Sequence, residues 1–168
     1  MKIVIGPARK TDAEELAALF IKARKLMYKL SPRGFGAALN GPDVPDDEKR
    51  RIIGELKDRN QLTLVARTQA GGLAGFITGC IEKYSDDLLT APFVSLVYIY
   101  VEVKYRRRGV ARSLMQRLEA WAAENKISVM ELTVWSGNEQ GQALFRDSGY
   151  VPLQLRLAKK LPACRDAT

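Results

Sequence analysis

The chain of 168 residues predicts a mixed α/β domain, with helices packed on one central sheet. Three observations carry that prediction. Segments with apolar residues at helical spacing alternate with short β-branched and apolar runs, so both kinds of element are interleaved. Glycine, proline and helix-capping residues punctuate nearly every junction between them. Apolar residues make up 46% of the chain and charged residues 27%, which suits one domain with a substantial core. A single domain over residues 1–168 is therefore expected.

Residues 2–7 read as a first strand, too short and too soon polar for a signal peptide. Thr11 and Asp12 are each followed three positions later by a glutamate, Glu14 and Glu15, a capping-box pattern. The helix they open has Leu16, Leu19, Phe20, Ala23 and Met27 at helical spacing. Residues 31–45 are rich in glycine and proline and read as a loop, either a connector or a segment covering a substrate. Asp46 and Asp47 start a second helix that runs to about Leu56. Residues 61–67 and 73–81 flank Gly71-Gly72 as a hairpin, and 85–92 is turn-like. Residues 94–103 form a long strand, and Val110, Leu114, Leu118, Trp121 and Ala122 mark the buried stripe of a helix ending near Asn125. A strand over 127–135, a helix from 136–138 to about Ser148 stopped by Gly149, and a final strand over 150–157 complete the chain.

Composition removes several chemistries. With no histidine, Ser-His and Cys-His nucleophiles, histidine zinc sites and a histidine base are all excluded. Cys80 and Cys164 lie far apart without metal-ligand spacing, so no metal site is expected and both read as reduced cytoplasmic thiols. No apolar run approaches the roughly 20 residues of a membrane span. A net charge of +8 favours anionic partners, yet the basic residues are scattered and cluster only at 104–108. That does not make a nucleic-acid surface.

The cluster leads into the most informative stretch. Tyr105-Arg106-Arg107-Arg108-Gly109-Val110-Ala111-Arg112 joins an apolar strand to an amphipathic helix through a basic, glycine-bearing turn. Unpaired N–H groups at a helix N-terminus, with the positive end of the helix dipole behind them, make an anion site. Gly109 and Ala111 have little or no side chain, so a phosphate approaches the main chain closely.

The Arg106-x-x-Gly109-x-Ala111 turn, the later Asn138…Phe145…Gly149-Tyr150 segment and the element order together resemble the GNAT superfamily of acetyl-coenzyme A-dependent N-acetyltransferases. The likeness spans essentially the whole chain in element order and is sharpest from about Val94 to Tyr150. It implies a central mixed sheet of about six to seven strands flanked by about four helices, with a splayed strand pair forming the cofactor slot. Main-chain amides from Arg107, Arg108, Gly109, Val110, Ala111 and Arg112, with Arg106 beside them, would hold the coenzyme A pyrophosphate. Val101 to Val103 would pair with the pantetheine arm, and Asn138, Gly141 and Phe145 would contact the cofactor. The implied reaction is direct transfer of an acetyl group from acetyl-CoA to a primary amine of a small molecule or peptide. A homodimer is compatible with that family.

The chain departs from a common version of the family's pattern. Where many members carry a tyrosine acid seven residues after the asparagine, Phe145 stands here; where some carry a glutamate base five residues before it, Thr133 stands here. Glu131 and Tyr100 are the candidate catalytic replacements, with Glu102, Tyr98 and Tyr150 on or beside the same strands. Water relay is a further route, since a general acid contributes about 10²–10⁴-fold and its loss slows transfer without abolishing it. A non-catalytic acyl-CoA-binding domain is the alternative reading. Acceptor choice would fall to residues 31–45 and 150–161, with Asp43, Asp46, Asp47, Glu48, Asp86 and Asp87 as candidate attractors of a cationic amine.

Overall fold

The computed structural model describes residues 2–30, 47–84 and 91–159. Strand β1 (Ile3–Pro7) passes through a 3-10 turn into helix α1 (Ala13–Leu30). Helix α2 (Asp47–Glu55), strands β2 (Gln61–Thr68), β3 (Leu73–Lys83) and β4 (Pro92–Val101) follow. A second 3-10 turn (Val103–Tyr105) leads to helix α3 (Val110–Glu124), strand β5 (Met130–Leu132) and helix α4 (Glu139–Asp147). The strands lie in one sheet in chain order, antiparallel throughout except for the parallel pair β4 and β5.

Period-two alternation assigns the faces. On β2, Leu64 and Ala66 join the cluster under α3 while Val65 joins the one under α1. On β3, Ile77 points to α3 and Phe76 to α1; on β4, Val101 and Tyr100 divide the same way. Phe20 of α1 meets Phe76 with ring centroids 4.3 Å apart, and each fully buried aromatic or aliphatic side chain of this kind contributes about 1.5–3 kcal/mol. Helix α3 lies directly on β3: a Cβ at Gly79 would stand 2.7 Å from the end of Leu118.

The mixed architecture and the four helices agree with expectation, but the strand count does not. Five strands are present among the described residues rather than six or seven. The expected final strand, 150–157, forms no ladder with any described residue, and Val151, Leu153, Leu155 and Leu157 are 73%, 69%, 82% and 82% exposed. Alternation makes a segment competent to form a strand; only a partner makes it one. The expected strand over 127–135 is ordered as a ladder only at Met130–Leu132. Asp12 and Glu15, expected to cap the helix together, are engaged elsewhere. Asp12 instead accepts from the Arg9 N–H and pairs with Arg67, while Glu15 accepts from the Leu73 N–H at 2.7 Å and pins the hairpin turn.

No described helix is long and apolar enough to cross a membrane. The loop at 31–45 and the carboxylates Asp43, Asp46, Asp86 and Asp87 lie outside the described residues, as do the side chains of Asp47 and Glu48 and all of Cys164.

Candidate active site

The site begins with an irregularity in β4. Tyr98 pairs with Thr78 and Leu96 with Gly79, so Val97 is an extra residue with no counterpart on β3. Such a bulge increases local twist and bends the strand that carries it. The parallel ladder with β5 runs from Val94 opposite Met130 to Leu96 opposite Leu132 and ends at the bulge. Beyond it β4 continues through 97–101, held among the described residues by β3 on one edge only, which opens a slot between β4 and the chain leaving β5.

Backbone alternation sets what the slot presents. The Glu102 N–H donates to the Ala74 carbonyl at 2.9 Å, on the β3 side. The N–H and C=O of Val101 therefore face the other way, into the slot, as do those of Ile99. Arg106 then reaches back. Its Nε donates to the Val101 carbonyl at 2.9 Å, and its guanidinium lies 5.6 Å from the Tyr100 ring centroid. Of the two polar groups of Val101, the acceptor is engaged and the N–H remains directed at the slot.

The turn behind it has the expected anion geometry. Gly109 has φ 77, a left-handed backbone that glycine adopts at no steric cost, and Arg107 has φ 60. No side chain caps α3 at Gly109, and its first turn holds no acidic residue. The first amides of α3 thus keep their donors for a ligand. Nothing lies within 4 Å of where a Gly109 Cβ would stand, so the front of the turn is open. Arg107, Arg108 and Arg112 are exposed around it, while Val110 sends its side chain into the core. These residues fit a pyrophosphate.

The remaining candidates separate. Asn138 caps α4, its Oδ1 accepting from the Gly141 N–H at 3.0 Å, which leaves the Nδ2 amide for any ligand contact. A Cβ at Gly141 would stand 2.5 Å from that amide, so the pair is a single tight unit. Phe145 is buried in the core cluster with Val101 and Val110 and meets Tyr150 at 5.8 Å, so it belongs to the wall beneath the slot. Val103 lies past the strand end, in the 3-10 turn, and is exposed.

The structure does not bring Glu131 and Tyr100 together. Glu131 lies opposite Ser95, in the paired part of the sheet. Tyr100 is five positions further along β4, roughly 16 Å at about 3.3 Å per residue. It is buried against α1 among Leu16, Leu19 and Phe20. The Tyr150 hydroxyl is buried without a partner, and burial, with Glu119 nearby, pushes its pKa up to about 12. Burial likewise pushes the half-buried Cys80 thiol up, away from thiolate character.

Two features escaped the sequence reading. One is the backward reach of Arg106, for which an arginine in a basic cluster gives no signal. The other is an ion pair between Lys22 of α1 and Glu102, one residue past the slot edge. The hydrogen bond to Glu102 is the main cause of a raised Lys22 pKa.

Comparison with known proteins shows the family and the fold. The model of the acetyltransferase (GNAT) family matches residues 24–150. An aminoglycoside N(6')-acetyltransferase type 1 from Acinetobacter genomosp. 13 is 28% identical over 111 residues, 66% of this chain and 67% of that protein. Among solved structures, the aminoglycoside 6'-N-acetyltransferase AAC(6')-Ih from Acinetobacter baumannii superposes with a TM-score of 0.74 at 21% identity, covering 96% of this chain and 99% of that one. A mutant of the BH1408 protein from Bacillus halodurans gives 0.83 at 17% identity, covering 95% and 99%. The fold of these structures is the fold seen here. The chain belongs to the acetyltransferase (GNAT) family and is an acetyl-coenzyme A-dependent N-acetyltransferase.

Proposed function

We propose that the acceptor is a small cationic amine of the aminoglycoside type, received at Glu102 beside the end of the β4 edge. The carrying observation is the slot itself: a strand edge freed by the bulge at Val97, ending in the inward N–H of Val101 and followed by the uncapped N-terminus of α3. A strand edge binds a thin, amide-bearing arm as it would an added strand. The α3 amides and Arg107, Arg108 and Arg112 hold the pyrophosphate, and the Val101 N–H donates to the thioester carbonyl, where charge develops during transfer.

Two observations support the acceptor class. Glu102 is a largely shielded carboxylate already paired with an ammonium, that of Lys22, which a substrate ammonium would replace. The curated relative acts on an aminoglycoside by its name. No carboxylate or phenol of the described residues occupies the usual acid and base positions, Phe145 and Thr133, so the amine proton passes to Glu102 or to water.

Released thiol measured over an acceptor panel tests this reading. An aminoglycoside with a 6'-amine, its 6'-hydroxyl counterpart, a polyamine and a short peptide suffice. Turnover is expected with the 6'-amine and not with the 6'-hydroxyl. Turnover confined to the peptide would overturn the acceptor class. Tight acetyl-CoA binding with no turnover on any amine would favour the non-catalytic reading that Phe145 and Thr133 suggest.

A further inference from the structure

The wall of the slot that faces β4 ends in a large side chain that neither core claims. Met130, Leu132 and Val134 pack against the cluster under α3, while Thr133 and Trp135, alternating with them, are exposed, Trp135 by 39%. The Trp135 indole is therefore turned away from α3, and it joins neither hydrophobic cluster. Its backbone is fixed. The Trp135 carbonyl accepts from the Asn138 N–H at 2.9 Å and from Gln142 Nε2 at 3.2 Å, and the same Nε2 donates to the Ser136 carbonyl at 2.8 Å. Helix α1 reaches this loop from the other face of the sheet: a Cβ at Gly137 would stand 2.9 Å from the Leu30 carbonyl oxygen. The same helix meets the opposite wall through Lys22 and Glu102. Lys22 and Leu30 are eight residues apart, about 12 Å along a helix at about 1.5 Å per residue. One helix thus crosses the slot mouth, with a carboxylate at one end and an exposed indole at the other.

We propose that the Trp135 indole is a second acceptor subsite, a platform on which one aminated ring of the substrate lies with its ammonium over the indole face. This rests on the acceptor class proposed above and adds where the rest of that molecule goes. Tryptophan holds a ligand cation best among the aromatic side chains, because its ring face is electron-rich. Its broad apolar surface also covers the C–H side of a sugar ring. An amine with a single ring meets Glu102 alone, whereas a molecule of two aminated rings reaches both ends of the α1 crossing. An exposed apolar residue alone means little. Trp135 differs in its place on the slot wall and in its backbone, held from Asn138 and Gln142. A platform fixed in advance leaves little ordering to be done on binding.

The test uses the whole chain and neamine, a two-ring amine with a 6'-amine. The chain has two tryptophans, and Trp121 packs against the α3 cluster, so emission separates them. Without acetyl-CoA, neamine is expected to change the fluorescence of the unaltered protein and of Trp121→Phe, but not that of Trp135→Phe. In steady state Trp135→Ala should raise KM for neamine roughly 3–30-fold, with kcat within about twofold and acetyl-CoA affinity within about threefold. Trp135→Phe, which keeps an aromatic face, should recover part of that loss. Three results would each overturn the platform while neamine turnover leaves the acceptor class standing. They are a Trp135 emission indifferent to saturating neamine, an unchanged KM in Trp135→Ala, and an equal loss of acetyl-CoA affinity. No turnover of neamine by the unaltered protein would overturn the acceptor class and the platform with it. The fluorescence of the unaltered protein and of Trp121→Phe decides the matter even if the alanine variant misfolds.

Discussion

Helix α4 closes its own N-terminus and helix α3 leaves its N-terminus open. Both follow a loop beside the slot, and both start with backbone donors that need partners. At α4, the Asn138 side chain accepts from Gly141 and Glu139 lies in the first turn, so the site is served from within. At α3, Gly109 has no side chain to offer, no acid stands in the first turn, and exposed arginines surround the amides. A helix N-terminus without a cap costs stability, about 1 kcal/mol for a typical missing cap. Kept open beside a basic cluster, it suits the anion that the proposed function places there.

Gly109→Glu breaks the contrast most sharply, since it sets a carboxylate in front of the open amides. Acetyl-CoA affinity by calorimetry is expected to fall roughly 100-fold or more, each charge-assisted hydrogen bond being worth about 1.5–3 kcal/mol. Unchanged affinity would mean that the α3 terminus holds no phosphate. Arg106→Ala releases the Val101 carbonyl and should lower kcat/KM about tenfold, with Arg106→Lys recovering part of it. A loss confined to KM for acetyl-CoA would instead make Arg106 a phosphate ligand. Asn138→Ala removes the closed cap, and thermal unfolding should report about 1 kcal/mol of lost stability with acetyl-CoA affinity within about threefold. A tenfold loss of affinity as well would show that the Nδ2 amide serves the ligand while Oδ1 serves the helix.

The smallest effect lies at the other end of α4. Tyr150→Phe removes a buried hydroxyl without a partner and should raise stability by about 0.5–1 kcal/mol at neutral pH. The folded phenol ionises at about 12, above its ordinary 10, because burial disfavours the phenolate. Its neutral form suits the fold fully below pH 10, and that contribution is lost as pH rises from 10 toward 12. The phenylalanine variant should lose stability less steeply over that window.

What was legible in the sequence is what local pattern controls. The apolar stripe of α3, the hairpin around Gly71-Gly72 and the Gly109 turn each rest on neighbours a few positions apart, and each stands as expected. The turn and helix start proposed to hold phosphate were therefore readable as local structure. The bulge at Val97 was not, because it is a mismatch of register between two strands and neither strand shows it alone. The same holds for Glu15, which completes a capping box by spacing yet serves Leu73, 58 positions away. Residues 150–157 carried a true strand pattern, but ladder formation is decided by an edge elsewhere. Tyr100 illustrates the limit for catalysis: the chain order places it beside the slot, while the pleat turns it into the α1 core.

The hold of Arg106 on the Val101 carbonyl has a consequence outside catalysis. Val97-Tyr98-Ile99-Tyr100-Val101 is a β-prone, uncharged run whose outer edge pairs with no strand among the described residues. Such runs are where chains stack into aggregates. A guanidinium planted at the end of that edge takes up an acceptor that a foreign strand would use and sets a positive charge where it would dock. The arginine thus guards the end of that edge against a foreign strand.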